Sequence, residues 1–289
     1  MENCRRLVSW VTVEPVEFFY VLMFTTSNVV RDNLFLDKVC LLDLKYPADA
    51  CYNLTHGIKI NKSISDTVQN NAANLEVIDG ILVAIPAVIF SLFVGAWSDA
   101  NGRKAVLILP FIGNILSFLI YIINYYWFEE ISTLNLLWGS IAGFTGGYVV
   151  LNIGLYGYVS DVTSPENRTM RLSILNGVFS AGFVIGTTFG GKLYKSYENY
   201  YLNFGVSIVF GLAGMIYAIF FTKESILPDN SKPKRKFFDF KNVGESLQVA
   251  FKPRPNHGRL HVTLLIINFA IFMFCLNTFH YDYLLVINR

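Results

Sequence analysis

Seven long, nearly uncharged apolar stretches run through the chain, at 15–34, 78–97, 105–127, 136–158, 172–194, 203–221 and 262–286. Each approaches the roughly 20 residues that a helix needs to cross about 30 Å of hydrocarbon, and buried helices of soluble cores rarely reach that length repeatedly. Composition agrees: 53% of residues are hydrophobic and 15% charged, where soluble domains carry about 25% charge. The expected fold class is all-α integral membrane, multi-pass. The first stretch is the weakest, since Glu17, Asn28, Arg31 and Asp32 dilute it. Met1 to Ser9 lead straight into it, without the short apolar region and small-residue cleavage site of a signal peptide.

Basic residues set the expected orientation. Arg5, Arg6, Arg103, Lys104, Arg168, Arg171 and the basic stretch 223–261 fall in alternate connecting segments, which the positive-inside rule assigns to the cytoplasm together with the N-terminus. The formal net charge of +2 is then a topology signal, and no nucleic-acid partner is expected. Two glycosylation sequons, at Asn53 and Asn61, lie in the long first connection, expected to be a loop over 35–77, which this topology puts outside. A third, at Asn167, faces inward and is expected to stay unmodified. Cys40 and Cys51 share the outer connection, where oxidation is permitted, so a bridge between them is one of two open outcomes. No Cys/His spacing suggests a metal.

Three parts follow from this pattern: a six-helix bundle over 1–222, a basic cytoplasmic linker over 223–261, and one further membrane helix over 262–289. In the linker, Phe240, Val243, Leu247 and Phe251 recur at helical spacing behind a basic cluster, which suggests an amphipathic helix lying on membrane lipids.

Between the second and third stretches stands GAWSDANGRK, residues 95–104. Its charges fall at the membrane interface, where they avoid the cost of the bilayer centre. Gly95 allows close helix approach, Gly102 permits a tight reversal, and Arg103 and Lys104 start the next helix. Asp99 and Arg103 are within ion-pair reach if the turn stays helical. A second inner turn, SDVTSPENRTMR at 160–171, carries Asp161 and Arg168. These acids and bases suggest a latch, with Arg103 offered to Asp161, and Asp99 offered to a helix N-terminus or to a base on a neighbouring bundle. The plainer reading is two positive-inside turns with good capping chemistry.

Gly95, Asp99, Gly102, Arg103 and Lys104 resemble the GxxxDxxGRK signature of the major facilitator superfamily, and Asp161 with Arg168 is similar to that superfamily's acid-and-base turn between its fourth and fifth helices. Val13-Glu14-Pro15, SDxxGRK and SDVTSPENRTMRL more narrowly resemble solute carrier family 46, the proton-coupled folate transporter family. The resemblance implies a transporter whose relatives move folates, muropeptides or cyclic dinucleotides, often helped by a proton gradient. It also implies twelve spans in two six-helix halves, so a chain ending after a seventh span is expected to be a truncated product. Acids that the resemblance implies in spans four and five are replaced here by Gly143 to Gly147 and by Leu175-Asn176-Gly177, which argues against folate.

Several polar residues lie within the spans. Tyr20, Ser27, Asn28 and Arg31 fall along one face of the first, suited either to substrate contact or to helix–helix hydrogen bonding. Glu14 and Glu17 flank Pro15, a pattern of helix-start chemistry. Asn152 with Tyr156, and Asn176 with Ser180, form i, i+4 pairs that could line the same cavity, among glycines suited to close packing. His280 and Asp282 in the last span are candidates for proton coupling.

The functional expectation is alternating-access transport of a small organic anion, in a plasma or lysosomal/endosomal membrane, with no enzymatic chemistry and no cofactor beyond a proton gradient. Two rivals remain: a non-transporting regulator that associates with a full-length transporter, and, remotely, a seven-span receptor.

Overall fold

A computed structural model of the chain describes residues 12–58, 60–226, 236–241, 243–244, 259–261, 263–268 and 271. Its regular elements are all helical: α1 (Glu14–Lys38), α2 (Ala48–Thr55), α3 (Lys62–Asn101), α4 (Lys104–Tyr126), a 3-10 helix (Thr133–Thr145), α5 (Gly147–Val162), α6 (Pro165–Tyr197) and α7 (Tyr200–Phe220). Among the described residues, five segments are long and apolar enough to cross a membrane: α3, α4, the 3-10 helix with α5, α6 and α7. The weak first stretch does form a helix, α1, but its charges keep it out of that group. The expected seventh span lies mostly outside the described residues, which show helix at Arg259–Asn268.

Two expectations need correcting. The connection 35–77 is not a loop. Helix α1 runs on into a π-helical turn at Val39–Asp43, α2 folds back, and α3 begins at Lys62 behind Asn61, whose side chain accepts from the Ser63 amide at 3.0 Å. Ile64, Val68, Ala72 and Leu75 supply an apolar stripe at helical spacing, and it packs on Val39, Cys40, Cys51 and Leu54. Polar neighbours lower the average hydropathy of that stretch, which hides the stripe. The expected span at 136–158 is not one uniform helix either. It is wound as 3-10 helix to Thr145 and as α-helix from Gly147, the change occurring at Gly146 (φ +80°). A 3-10 run this long is uncommon; buried Ser140 and Gly143 hold it against α3, and buried Gly139 holds it against α4.

Helix α1 packs on α6 and α7, and α4 packs on the 3-10 helix, α5 and α7. The α1–α6 seam is close because Gly182, Gly186 and Gly190 recur every four residues on α6: a Cβ on Gly190 would meet the backbone of Thr26. Phe35, Phe111, Phe204, Leu151 and Leu175 fill the centre of the bundle. Outward faces are apolar as well, with Ile85 56%, Val88 55% and Val184 64% exposed. So broad an apolar surface suits hydrocarbon and would drive aggregation in water. Beyond α7, Phe237 returns to pack on Phe90 and Trp97 of α3, at 4.8 and 5.4 Å. Phe240 reaches Phe93 at 6.0 Å while remaining exposed, whereas Leu247 and Phe251 lie outside the described residues.

Candidate functional site

Ionic chemistry gathers at one end of the bundle. Helix α3 ends at Asn101 because Gly102 takes φ +110°, a value open to glycine, and α4 starts two residues later. The reversal turns the Arg103 side chain back toward α3 and α5. Its Nη2 lies 2.5 Å from Asp99, its Nε donates to Asp161 Oδ2 at 3.0 Å, and its Nη1 donates to Ser98 Oγ at 2.8 Å. Ser98 in turn donates to the Gly95 carbonyl at 2.8 Å. Gly157 leaves room for the guanidinium, since a Cβ there would sit 2.7 Å from Cζ of Arg103. The pairing is graded in exposure: the side chain of Arg103 is 9% exposed, Asp161 23% and Asp99 61%.

Among the described residues Asp99 pairs with Arg103 of its own turn and not with a helix N-terminus. Glu224 takes that place, accepting from the amides of Arg103 (2.6 Å) and Lys104 (3.2 Å) at the start of α4. Such an acid meets both the unpaired amides and the positive end of the helix dipole. Ser225 beside it donates to Asp161 at 3.1 Å, so the segment after α7 closes onto the same cluster. The sequence reading missed Glu224, whose only signal is an acid at the head of a basic linker. Arg168 does not join the cluster and instead donates to the Ser160 carbonyl at 3.0 Å, near the end of α5.

A second polar set lies along α1, α4, α5 and α6. Asn114 donates to the Tyr20 hydroxyl at 2.9 Å, and Tyr20 stacks with Tyr148 at 6.0 Å. Tyr156 donates to Asn176 Oδ1 at 3.1 Å, which joins α5 to α6, and Ser180 donates to the Asn176 carbonyl at 3.0 Å. Tyr156, Asn176 and Ser180 are exposed, so this face is reachable, while Asn152 is half-buried beside them. The first-span stripe separates. Ser27 turns its hydroxyl to the Met23 and Phe24 carbonyls of its own helix, and Asn28 is half-buried. Arg31 pairs with Asp32 at 3.0 Å and with Asp79 of α3 at 3.8 Å, and Ser140 donates to Asp79 at 2.5 Å. Its partners are therefore carboxylates of the protein, and Asp79 and Ser140 were missed because they lie far apart in sequence.

At the opposite end, Cys40 and Cys51 form a disulfide with Cα atoms 5.8 Å apart, which ties α2 to the end of α1. Asp37, beyond the apolar part of α1, accepts from the Tyr200 hydroxyl at 2.5 Å, and Tyr194 donates to Tyr200 at 3.1 Å. Burial pushes the Asp37 carboxyl up to about 6, against the opposing pull of Tyr200 and His56. His56 Nε2 lies 3.4 Å from Glu198, which also accepts from the Tyr52 hydroxyl at 3.3 Å. Asn53 is half-buried and Asn61 exposed at this end, whereas His280 and Asp282 lie outside the described residues.

Residues 64–287 match the Major Facilitator Superfamily. The chain belongs to that superfamily. Major facilitator relatives include a probable peptidoglycan muropeptide transporter of Drosophila melanogaster, 21% identical over 88% of this chain and 51% of the relative. A lysosomal proton-coupled steroid conjugate and bile acid symporter of Gallus gallus is 23% identical over 91% of this chain and 58% of its own length. The proton-coupled folate transporter of Rattus norvegicus is 23% identical over 71% and 42%. These three relatives are similar at a level that matches the narrower resemblance to solute carrier family 46. In fold, the chain is similar to the crystal structure of the human organic anion transporter MFSD10, with a TM-score of 0.59 at 18% identity over 84% of this chain and 53% of that one. The chain thus spans about half the length of the relatives it matches.

Proposed function

We propose that the chain forms the solute-moving part of an alternating-access transporter for a small organic anion. The observation that carries this reading is the Arg103 cluster, which joins α3, α4, α5 and the segment after α7 at one end of the bundle. Its acids are partly exposed, and exposed pairs contribute only about 0–1 kcal/mol each. A cluster of that strength suits a latch that must open and re-form as two arrangements of the bundle exchange. Tyr156, Asn176 and Ser180 present hydroxyl and amide groups to the solute on the exposed face between α5 and α6.

The latch end is cytoplasmic, together with the N-terminus, and the disulfide end with Asn53 and Asn61 faces outward or into a lumen. The oxidised Cys40–Cys51 pair and the basic residues of the latch turns support this orientation. The name of the Gallus gallus relative supports a lysosomal setting, and the names of that relative and of the rat folate transporter support proton coupling. Lipids surround the bundle, and no enzymatic role is part of the reading.

The test is uptake into proteoliposomes of a labelled bile acid, a labelled folate and a labelled muropeptide, with wild-type chain and with Asp99→Asn and Asp161→Asn. Flux of one solute that falls severalfold in the variants is expected; equal flux in all three forms sinks the latch. A second reading is a non-transporting regulator that associates with a full-length transporter, favoured by the half-length span of the chain against its relatives. Absence of flux for every solute, with co-purification of a longer relative, selects it.

A further inference from the structure

Glu17 lies in the first turn of α1 yet is 1% exposed, and its Oε2 is buried without a hydrogen-bond partner among the described residues. The charge acting on it is that of Glu14, one turn earlier on the same helix and of like sign. The nearby cation is committed elsewhere: Arg171 of α6 donates to Glu14 Oε1 at 2.9 Å and to Thr12 Oγ1 at 2.8 Å. From α5, the phenols of Tyr148 and Tyr156 lie within electrostatic range of the Glu17 carboxyl. From α7, Tyr217 lies within electrostatic range of Glu14. Between the two α5 tyrosines, Asn152 also keeps its Oδ1 buried without a partner.

An ionised carboxylate in such a place is costly, because among the described residues neither a cation nor a full set of donors replaces its hydration. Helix-start chemistry does not account for it, since Glu14 already accepts from the Thr12 and Val13 amides. A proton relieves the cost and leaves the group able to donate one hydrogen bond.

We propose that Glu17 is a proton-binding site of the bundle, protonated while its surroundings are closed and dry, and ionised when water reaches it. The proton comes from water on one side and returns to water on the other, and no covalent bond of the protein changes. This rests on the transport reading and deepens it. An anionic solute at Tyr156 and Asn176 is repelled by an ionised Glu17 and tolerated beside a protonated one, so proton and anion bind together and leave together.

The test has two arms. In the first, infrared spectra of the purified chain in lipid are recorded across a pH titration for wild type and for Glu17→Gln, which keeps the shape of the protonated side chain. A carboxylic C=O band that disappears with rising pH in wild type and is missing from Glu17→Gln is expected; identical titrations overturn the proposal. In the second arm, accumulation of the labelled bile acid, folate and muropeptide is driven by an imposed proton gradient in proteoliposomes. Glu17→Gln is expected to lose at least tenfold in gradient-driven accumulation while keeping solute-for-solute exchange. Accumulation with unchanged gradient dependence overturns the coupling role. A band that titrates in a chain moving no solute leaves the proton site standing and removes the transport reading instead.

Discussion

The Arg103 guanidinium and the Asp161 carboxylate meet at 3.0 Å although 58 positions separate them in sequence, and Asp99 approaches the same guanidinium from the end of α3. One cation therefore links three helices of a bundle in which most other contacts are apolar. Because that cation is buried and its acids are partly exposed, the members of the cluster differ in what their removal costs.

Arg103→Ala is expected to destabilise the chain by about 1–2 kcal/mol, since it removes the pairs to Asp161 and Asp99 and the hydrogen bond to Ser98 together while the acids it leaves stay partly exposed. Asp99→Ala is expected to cost under about 1 kcal/mol, because Asp99 is largely exposed and Asp161 still holds the guanidinium. Unfolding of both variants in detergent checks the order; equal losses would mean that Asp99 carries as much of the cluster as Asp161.

Gly102→Ala is expected to cost about 1–3 kcal/mol for two reasons that act together. Its φ of +110° is strained for any residue with a Cβ, and that Cβ would sit 2.7 Å from the Glu224 carboxylate. Displacing Glu224 uncaps α4, so hydrogen exchange at the Arg103 and Lys104 amides should rise along with the loss of stability.

The outer end is expected to be acid-stabilised through Asp37. Its folded value of about 6 lies above the ordinary 3.8, so the folded state holds the proton more tightly and stability falls as pH rises through that window. The difference amounts to about 2–3 kcal/mol between pH 4 and pH 7. Melting temperatures of wild type and Asp37→Asn across that range check it, and curves of the same slope would remove Asp37 as the source.

Reduction of the Cys40–Cys51 bridge, or Cys51→Ser, is expected to cost about 2–3 kcal/mol, as for other short closed loops. The loss should concentrate in α2 and the start of α3, whose buried side chains pack around the bridge. Peptide mapping with and without reductant, beside a glycosidase shift at Asn53 and Asn61, checks the bond and the sidedness together.

The membrane class and most of the spans were legible in the sequence, because hydrocarbon imposes a length and a composition that each span must satisfy by itself. The α3 extension from Lys62 to residue 77 was not legible that way. Its apolar stripe is matched to α2 and the disulfide rather than to lipid, and its average hydropathy is that of a loop. Within the latch, Asp99, Arg103 and Asp161 could be read from their turns, whereas Glu224 could not, since nothing local ties it to α4.

The sequence by itself determined that the chain is suited to cross a bilayer repeatedly and where its charges collect, since both follow from short stretches meeting water or lipid one at a time. Only the tertiary structure decided which charges meet. It turned Arg31 to Asp79, gave the α4 amides to Glu224, and left Glu17 without a cation partner among the described residues. Those outcomes depend on which helices are neighbours, and in hydrocarbon that choice is made by the close fit of surfaces such as the α1–α6 glycine seam.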